Sequence, residues 1–159
     1  MRLALIGVGL IGASAAWAMK RGGVFETVSA FDLSAQSARK AVEMGIADTA
    51  ADTLEACVQG ADAVLVAVPV LAIEKVMAQI EPFLRDETLV TDVGSVRGVV
   101  IEGARRALKE KFVNYAPVHP IAGGEMPGVD YADADLFVGA KAISTPVADI
   151  GDRAVQFCL

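Results

Sequence analysis

Short apolar runs alternate along the chain with stretches in which apolar positions recur every three or four residues, a pattern that predicts strand and helix in turn. Leu3 to Ile6 is the first run. After a glycine-rich turn, Ile11, Ser14, Ala15, Ala18 and Met19 fall on one helical face, and Gly22-Gly23 ends that helix. Thr27 to Phe31 reads as the second strand. Ser34 is placed to cap a helix running to Met44 with Gly45 as its stop, and Asp52 to cap a short one ending near Gly60. A weakly marked strand fits between those two helices. Ala63 to Val68 is continuously apolar, as expected of a strand covered on both faces, and stops at Pro69.

The second half repeats the alternation. A helix with Ile73, Val76, Met77 and Ile80 on its buried side leads to a strand over Thr88 to Thr91. The next helix carries the stripe Val96, Val99, Val100, Gly103, Ala104, Ala107 and Leu108. Its other face, with Arg97, Glu102, Arg105, Arg106 and Lys109, reads most simply as a solvated surface. Phe112 to Pro117 is a further strand, followed by a long loop rich in glycine and acid from His119 to Gly139, within which Asp130, Tyr131, Asp133 and Asp135 read as solvated loop or short helix. Ala140 to Ser144 is the last strand, and Thr145-Pro146 is placed to start a closing helix, Thr as N-cap and Pro at the first position.

Strands alternating with helices at this spacing imply an α/β fold of the Rossmann type: a doubly wound, mostly parallel sheet with helices on both faces and ligands at the carboxyl ends of the strands. The 159 residues, without internal repeat or flexible linker, make one domain and leave no room for a second. Apolar residues at 54% against 21% charged suggest a face covered by a partner subunit or by a domain outside this chain. The net charge of −6 argues against a nucleic-acid partner. Cys57 and Cys158 stand far apart in no metal-ligand spacing, which fits two core thiols in a reducing compartment.

Met1-Arg2, the apolar run behind it and Ala16-Trp17-Ala18 have the outline of a secretory signal peptide. Removing them would delete the first strand of a pattern that continues without a break, so a cytoplasmic protein is expected. No later apolar run is long enough to suggest a membrane span.

The chemistry is to be sought at the strand ends. Gly7-Val8-Gly9-Leu10-Ile11-Gly12 forms a GxGxxG turn directly after the first strand. Gly7 allows the tight turn, Gly9 lets backbone approach a pyrophosphate, and Gly12 lets the helix sit close to the strand. With Leu10 and Ile11 these residues form the first turn of a helix, whose N–H groups and positive dipole end favour phosphate. Asp32 ends the second strand twenty residues beyond Gly12, the distance at which a dinucleotide fold places an acid on the adenosine ribose. A carboxylate there repels a 2′-phosphate, which favours NAD over NADP. Taken as a plain strand end, Asp32 would instead be merely solvated.

Val68 and Pro69 end the fourth predicted strand and are expected against the cofactor, as is Asp92, which either orients a neighbouring donor or shapes its turn. Ser95 sits in the same turn and is equally readable as a helix cap or as a group facing the crevice. His119 is the chain's one histidine, the side chain whose unperturbed pKa lies near neutrality, and it directly follows an apolar strand. These positions form a compact constellation.

The segment from His119 to Gly128, HPIAGGEMPG, with Leu136-Phe137 after it, resembles the HPxAGxExxG…LF signature of the prephenate and arogenate dehydrogenases of tyrosine biosynthesis. Asp92 to Arg97, DVGSVR, is similar to that family's DVGSVK, with Arg97 where lysine is common, and the glycine turn matches in type and position. The resemblance implies that residues 1–159 are an NAD-binding domain ending before a helical domain that dimerises and completes the substrate site, so a homodimer is expected through that missing part. The substrate-binding arginine of the helical domain has no counterpart here.

It also implies NAD-dependent oxidative decarboxylation of prephenate, arogenate or both, with no metal and no covalent nucleophile. His119 would accept the substrate hydroxyl proton, and Ser95 would bind that hydroxyl or orient the imidazole. Arg97 and Lys141 are minor candidates for neutralising substrate carboxylates, with a surface role the simpler reading for both, and Glu125 is a candidate gate. Two rival readings stay open: another NAD-linked hydroxyacid or imine oxidoreductase, which would not need the His119 loop, and a nucleotide-sensing domain without chemistry.

Overall fold

A computed structural model of the chain describes residues 1–124 and 126–157. Glu125 and Cys158, expected as a gate and as a core thiol, lie outside the described residues. The elements in chain order are β1 (Arg2–Ile6), α1 (Leu10–Arg21), β2 (Thr27–Phe31), α2 (Ala35–Glu43), β3 (Thr49–Ala50), α3 (Leu54–Val58) and β4 (Ala63–Val66). They continue with α4 (Val70–Ile80), β5 (Leu89–Asp92), α5 (Arg97–Leu108), β6 (Tyr115–Ile121), β7 (Lys141–Ser144) and α6 (Asp152–Phe157). Among the described residues the strands form one sheet in the order β3-β2-β1-β4-β5-β6-β7, parallel except for β7. The order reverses between β1 and β4, and a crevice opens there at the carboxyl ends of the strands.

The central strands are buried on both faces, as their unbroken apolar runs require. Leu3, Ala4, Leu5 and Ile6 of β1 are at most 1% exposed, and every residue of β4 and β5 is buried. Each such leucine or isoleucine contributes about 1.5–3 kcal/mol by leaving water. Cys57 belongs to this core, where burial pushes its thiol up to about 11. No helix among the described residues is long and apolar enough to cross a membrane.

Several boundaries differ from the sequence pattern for local reasons. Thr53, not Asp52, caps α3, its Oγ1 accepting from the Ala56 N–H at 3.1 Å. On α1 the fully buried residues are Gly12, Ala13, Ser14 and Ala16, and the predicted face of Ala15, Ala18 and Met19 is only half-buried. The closing helix begins at Asp152 rather than after Thr145. The Thr145 N–H donates to the Pro117 carbonyl at 3.1 Å, carrying the pairing with β6 past Ser144, and Gly151 N–H donates to that of Val113 at 2.7 Å, so both ends of the segment before α6 are tied to β6 and to the turn before it.

Strand β6 starts later and runs further than the predicted Phe112 to Pro117. Tyr115 to Pro117 pair in parallel with β5, and Val118 to Ile121 pair antiparallel with β7. His119 is therefore a strand residue opposite Ile143, not a loop residue. Its register places it beyond Asp92, where β5 stops opposite Pro117.

Candidate active site

The glycine turn is built as its sequence requires. Gly7 has φ +92°, and a Cβ there would lie 2.4 Å from the Ala67 carbonyl oxygen. At Gly12 a Cβ would meet the Gly7 oxygen at 2.5 Å and the Ala67 Cβ at 2.6 Å, so α1 can sit against the start of the β4–α4 turn only without a side chain. Gly9 is the opposite case: nothing lies within 4 Å of its virtual Cβ. It is the N-cap of α1, no side chain caps the helix, and its first-turn N–H groups, at Leu10 and Ile11, are available to an anion. Beside it opens a cleft of about 720 Å³ lined by Gly7, Gly9, Asp32, Val68, Pro69 and Thr53, among others. An open glycine at a helix N-terminus over a mostly apolar cleft fits the pyrophosphate and adenosine of a dinucleotide.

Asp32 stands on this cleft, but its carboxylate also belongs to the glycine turn. Oδ2 accepts from the Val8 N–H at 2.7 Å and Oδ1 from the Ser34 N–H at 2.8 Å. The merely solvated reading of Asp32 does not describe it.

At the end of β5 the arrangement differs from expectation. Asp92 is 1% exposed, and its carboxylate accepts from Gly94 N–H at 2.8 Å, from Arg97 Nη1 and Nη2 at 2.7 and 3.0 Å, and from the Tyr115 hydroxyl. With its acceptor directions filled from inside, Asp92 shapes the turn rather than reaching a ligand. Arg97, expected on the solvated face of α5, is turned inward onto it with only 12% of its side chain exposed. A fully buried carboxylate requires a counter-charge, and Arg97 is the residue within reach. Burial works against the guanidinium charge, but the hydrogen bonds and attraction to Asp92 outweigh it and raise the pKa further. Burial, and then Asp92, push the Tyr115 phenol far above its usual range, so it stays a neutral donor.

The turn so anchored carries Val93 and Ser95. Ser95 is exposed and is not the cap of α5; that place falls to Val96, and no side chain bonds there. The valines Val96 and Val99, expected on the buried stripe, are 51% and 61% exposed. His119, half-buried on β6, has Nδ1 3.3 Å from the Val93 carbonyl oxygen. A carbonyl can only accept, so the contact is a hydrogen bond when Nδ1 carries the proton, the tautomer that in a neutral ring leaves the lone pair on Nε2. Beyond β6 the chain crosses to α1: a Cβ on Gly124 would come 3.1 Å from Leu10 Cδ2. The segment from His119 to Gly124 thus bridges the β5 turn and the glycine turn.

The structure brings together His119 and the turn that bears Ser95 on one side, and Gly7, Gly9, Asp32, Val68 and Pro69 around the cleft on the other. Lys141 is exposed on β7. Arg97 and Tyr115 were not legible as site supports, since Arg97 keeps the spacing of a surface position and Tyr115 that of an apolar strand; the buried acid Asp92 five residues before Arg97 is the one available signal. Thr53 and Lys75, which also line the cleft, come from the return of α3 and α4 over it.

Residues 15–159 match the family model described as prephenate dehydrogenase, nucleotide-binding domain. Among curated proteins, the cyclohexadienyl dehydrogenase of Zymomonas mobilis is 36% identical over 155 residues, covering 98% of this chain and 52% of that one. Among solved structures, the prephenate dehydrogenase of A. aeolicus in complex with hydroxyphenyl propionate and NAD+ superposes with a TM-score of 0.90 at 28% identity, over 99% of this chain and 54% of that one. The arogenate dehydrogenase of Synechocystis gives 0.89 at 29% identity, with the same coverage. The chain spans about half the length of these relatives.

Proposed function

Since the chain belongs to the prephenate dehydrogenase family, as its nucleotide-binding domain, we propose that it binds NAD and serves the oxidative decarboxylation of prephenate, arogenate or both in tyrosine biosynthesis. The observation that carries this reading is the His119 imidazole, its Nδ1 3.3 Å from the Val93 carbonyl oxygen, on the strand that extends past β5 toward the glycine turn.

NAD, when bound, supplies the hydride acceptor. The first-turn N–H groups of α1 would hold its pyrophosphate, with Gly9 leaving room for close approach and Val68 and Pro69 walling the cleft. Asp32 would meet the adenosine ribose hydroxyls and disfavour a 2′-phosphate, giving a preference for NAD over NADP. His119 Nε2 would take the hydroxyl proton of the ring carbon, and the bound nicotinamide would be the acceptor for that carbon's hydride. Ser95, uncommitted to capping, hydrogen-bonds the same hydroxyl. The resulting carbonyl withdraws electrons through the ring, the bond to the carboxylate breaks, and CO₂ departs as its electron pair completes the aromatic ring. No metal or covalent nucleophile enters these steps. The charged ends of the substrate and the contacts that would form a homodimer are assigned to the part of the whole protein beyond this domain.

Assaying the full-length protein with prephenate and with arogenate, following reduced nicotinamide, tests the proposal. NADH formation with either substrate is expected. Tight NAD binding without turnover of either would instead support a nucleotide-sensing domain.

A further inference from the structure

The Asp92 cluster makes no recorded hydrogen bond to His119 or Ser95, yet two of its bonds end on Gly94, in the turn that His119 leans on. Arg97 Nη1 bridges Asp92 Oδ2 and the Gly94 carbonyl, both at 2.7 Å, while Nη2 bridges Asp92 Oδ1 at 3.0 Å and the Tyr115 hydroxyl at 3.1 Å. Gly94 N–H returns to Asp92 Oδ2 at 2.8 Å. Residue 94 is thus held through both its N–H and its C=O, and a Cβ there would meet Asp92 Oδ2 at 2.9 Å and Ile73 Cδ1 at 3.0 Å, so the turn cannot sink deeper. The Val93 carbonyl oxygen, 3.3 Å from His119 Nδ1, belongs to the same planar peptide group as the Gly94 N–H that Asp92 holds.

We propose that Arg97 is a positioning residue: by clamping Gly94 to Asp92 and Tyr115, it holds the Val93 carbonyl where it fixes His119 as the Nδ1–H tautomer. This rests on the reading of His119 as the proton acceptor, but its test does not depend on turnover. The fork geometry matters. Arg97 serves four acceptors at once from a planar guanidinium, whereas a lysine offers three donors from a point. A lysine at this position therefore keeps the charge that Asp92 needs and loosens the turn, and a glutamine removes the clamp.

Because His119 is the chain's one histidine, the nitrogen chemical shifts of its imidazole, recorded on histidine-labelled protein at a pH where the ring is neutral, read the tautomer directly. The wild-type protein is expected to show a protonated Nδ1 and a bare Nε2. Arg97→Lys should show a mixture, and Arg97→Gln a larger share of the Nε2–H form, with a cooperative thermal transition retained. In the full-length enzyme kcat should fall in the same order, by roughly 10- to 100-fold for Arg97→Gln, while KM for NAD stays within about twofold, since the cofactor cleft is untouched. A wild-type tautomer in folded Arg97→Gln overturns the proposal. Should that variant not fold, Arg97→Lys decides in the same way, because its retained charge leaves Asp92 paired. Full turnover by His119→Asn would fail the functional reading instead, whatever the nitrogen spectrum shows.

Discussion

The carboxylate of Asp32 accepts a 2.7 Å hydrogen bond from the backbone N–H of Val8, in the middle of the glycine turn. One residue thus braces the glycine turn and lines the cleft proposed for the dinucleotide. A hydrogen bond to a charged acceptor is worth about 1.5–3 kcal/mol. Asp32→Ala is therefore expected to weaken NAD binding by roughly 10- to 100-fold and to yield no tight NADP binder, because the brace is lost for both cofactors. Titration of each nucleotide by fluorescence checks this; an unchanged NAD affinity would remove the brace from the account.

Two glycines of the same turn should respond in opposite ways to one added methyl. Gly7→Ala places a Cβ 2.4 Å from a backbone oxygen at φ +92°, and left-handed geometry alone costs about 1–2 kcal/mol before that clash. A lowered unfolding midpoint or insoluble protein is expected. Gly9→Ala has free space within 4 Å, so it should melt like the wild type and lose dinucleotide affinity, a separation that calorimetry and binding can report on one pair of samples.

Replacing His119 by Asn in the full-length protein should leave NAD binding nearly intact and lower kcat by roughly 10²- to 10⁴-fold, the range typical of losing a general base. Steady-state kinetics with saturating substrate decides it.

Ser95→Ala separates capping from chemistry. A lost N-cap costs about 1 kcal/mol, but Ser95 caps nothing in α5, so the melting temperature should not move while kcat falls. A lower melting temperature at full activity would reverse the assignment.

Acid should weaken the fold in part through Asp62, whose Oδ2 accepts from the Arg2 backbone N–H at 2.7 Å and Oδ1 from Arg85 at 2.8 Å. The Arg2 hydrogen bond first, and Arg85 next, lower its pKa below the usual carboxylate value. A depressed folded-state pKa means stability that is fully present above the unfolded value of about 3.9 and is lost as pH falls through the folded one. Urea midpoints at about pH 6 and about pH 3 should therefore differ less for Asp62→Asn than for the wild type. Equal differences would assign the acid sensitivity elsewhere.

Local rules made much of this protein readable. The buried strands could be found because apolar runs have no other stable place, and Ser34, Gly22-Gly23 and Gly45 marked helix ends through chemistry that acts within a few residues. The expectations that failed depend on distant partners. Thr145-Pro146 has the form of a helix start, but there the chain is still paired with β6 through the Pro117 carbonyl, and the helix begins at Asp152. Phe112 to Pro117 gave the strand's direction and not its length, because the continuation through His119 exists only where β7 supplies antiparallel partners.

By itself, then, the sequence determined the doubly wound fold, the glycine turn with Asp32 opposite it, and the segment around His119, each set by backbone geometry, short-range spacing or a recognisable motif. Only the tertiary structure decided that Arg97 faces inward, that Asp92 is consumed by its own protein, and that His119 Nδ1 lies against the Val93 carbonyl. Helical periodicity puts Arg97 with the charged residues of α5; a desolvated carboxylate five residues earlier pulls it to the other side, and that cost of burial arises only once β5 lies between its neighbours.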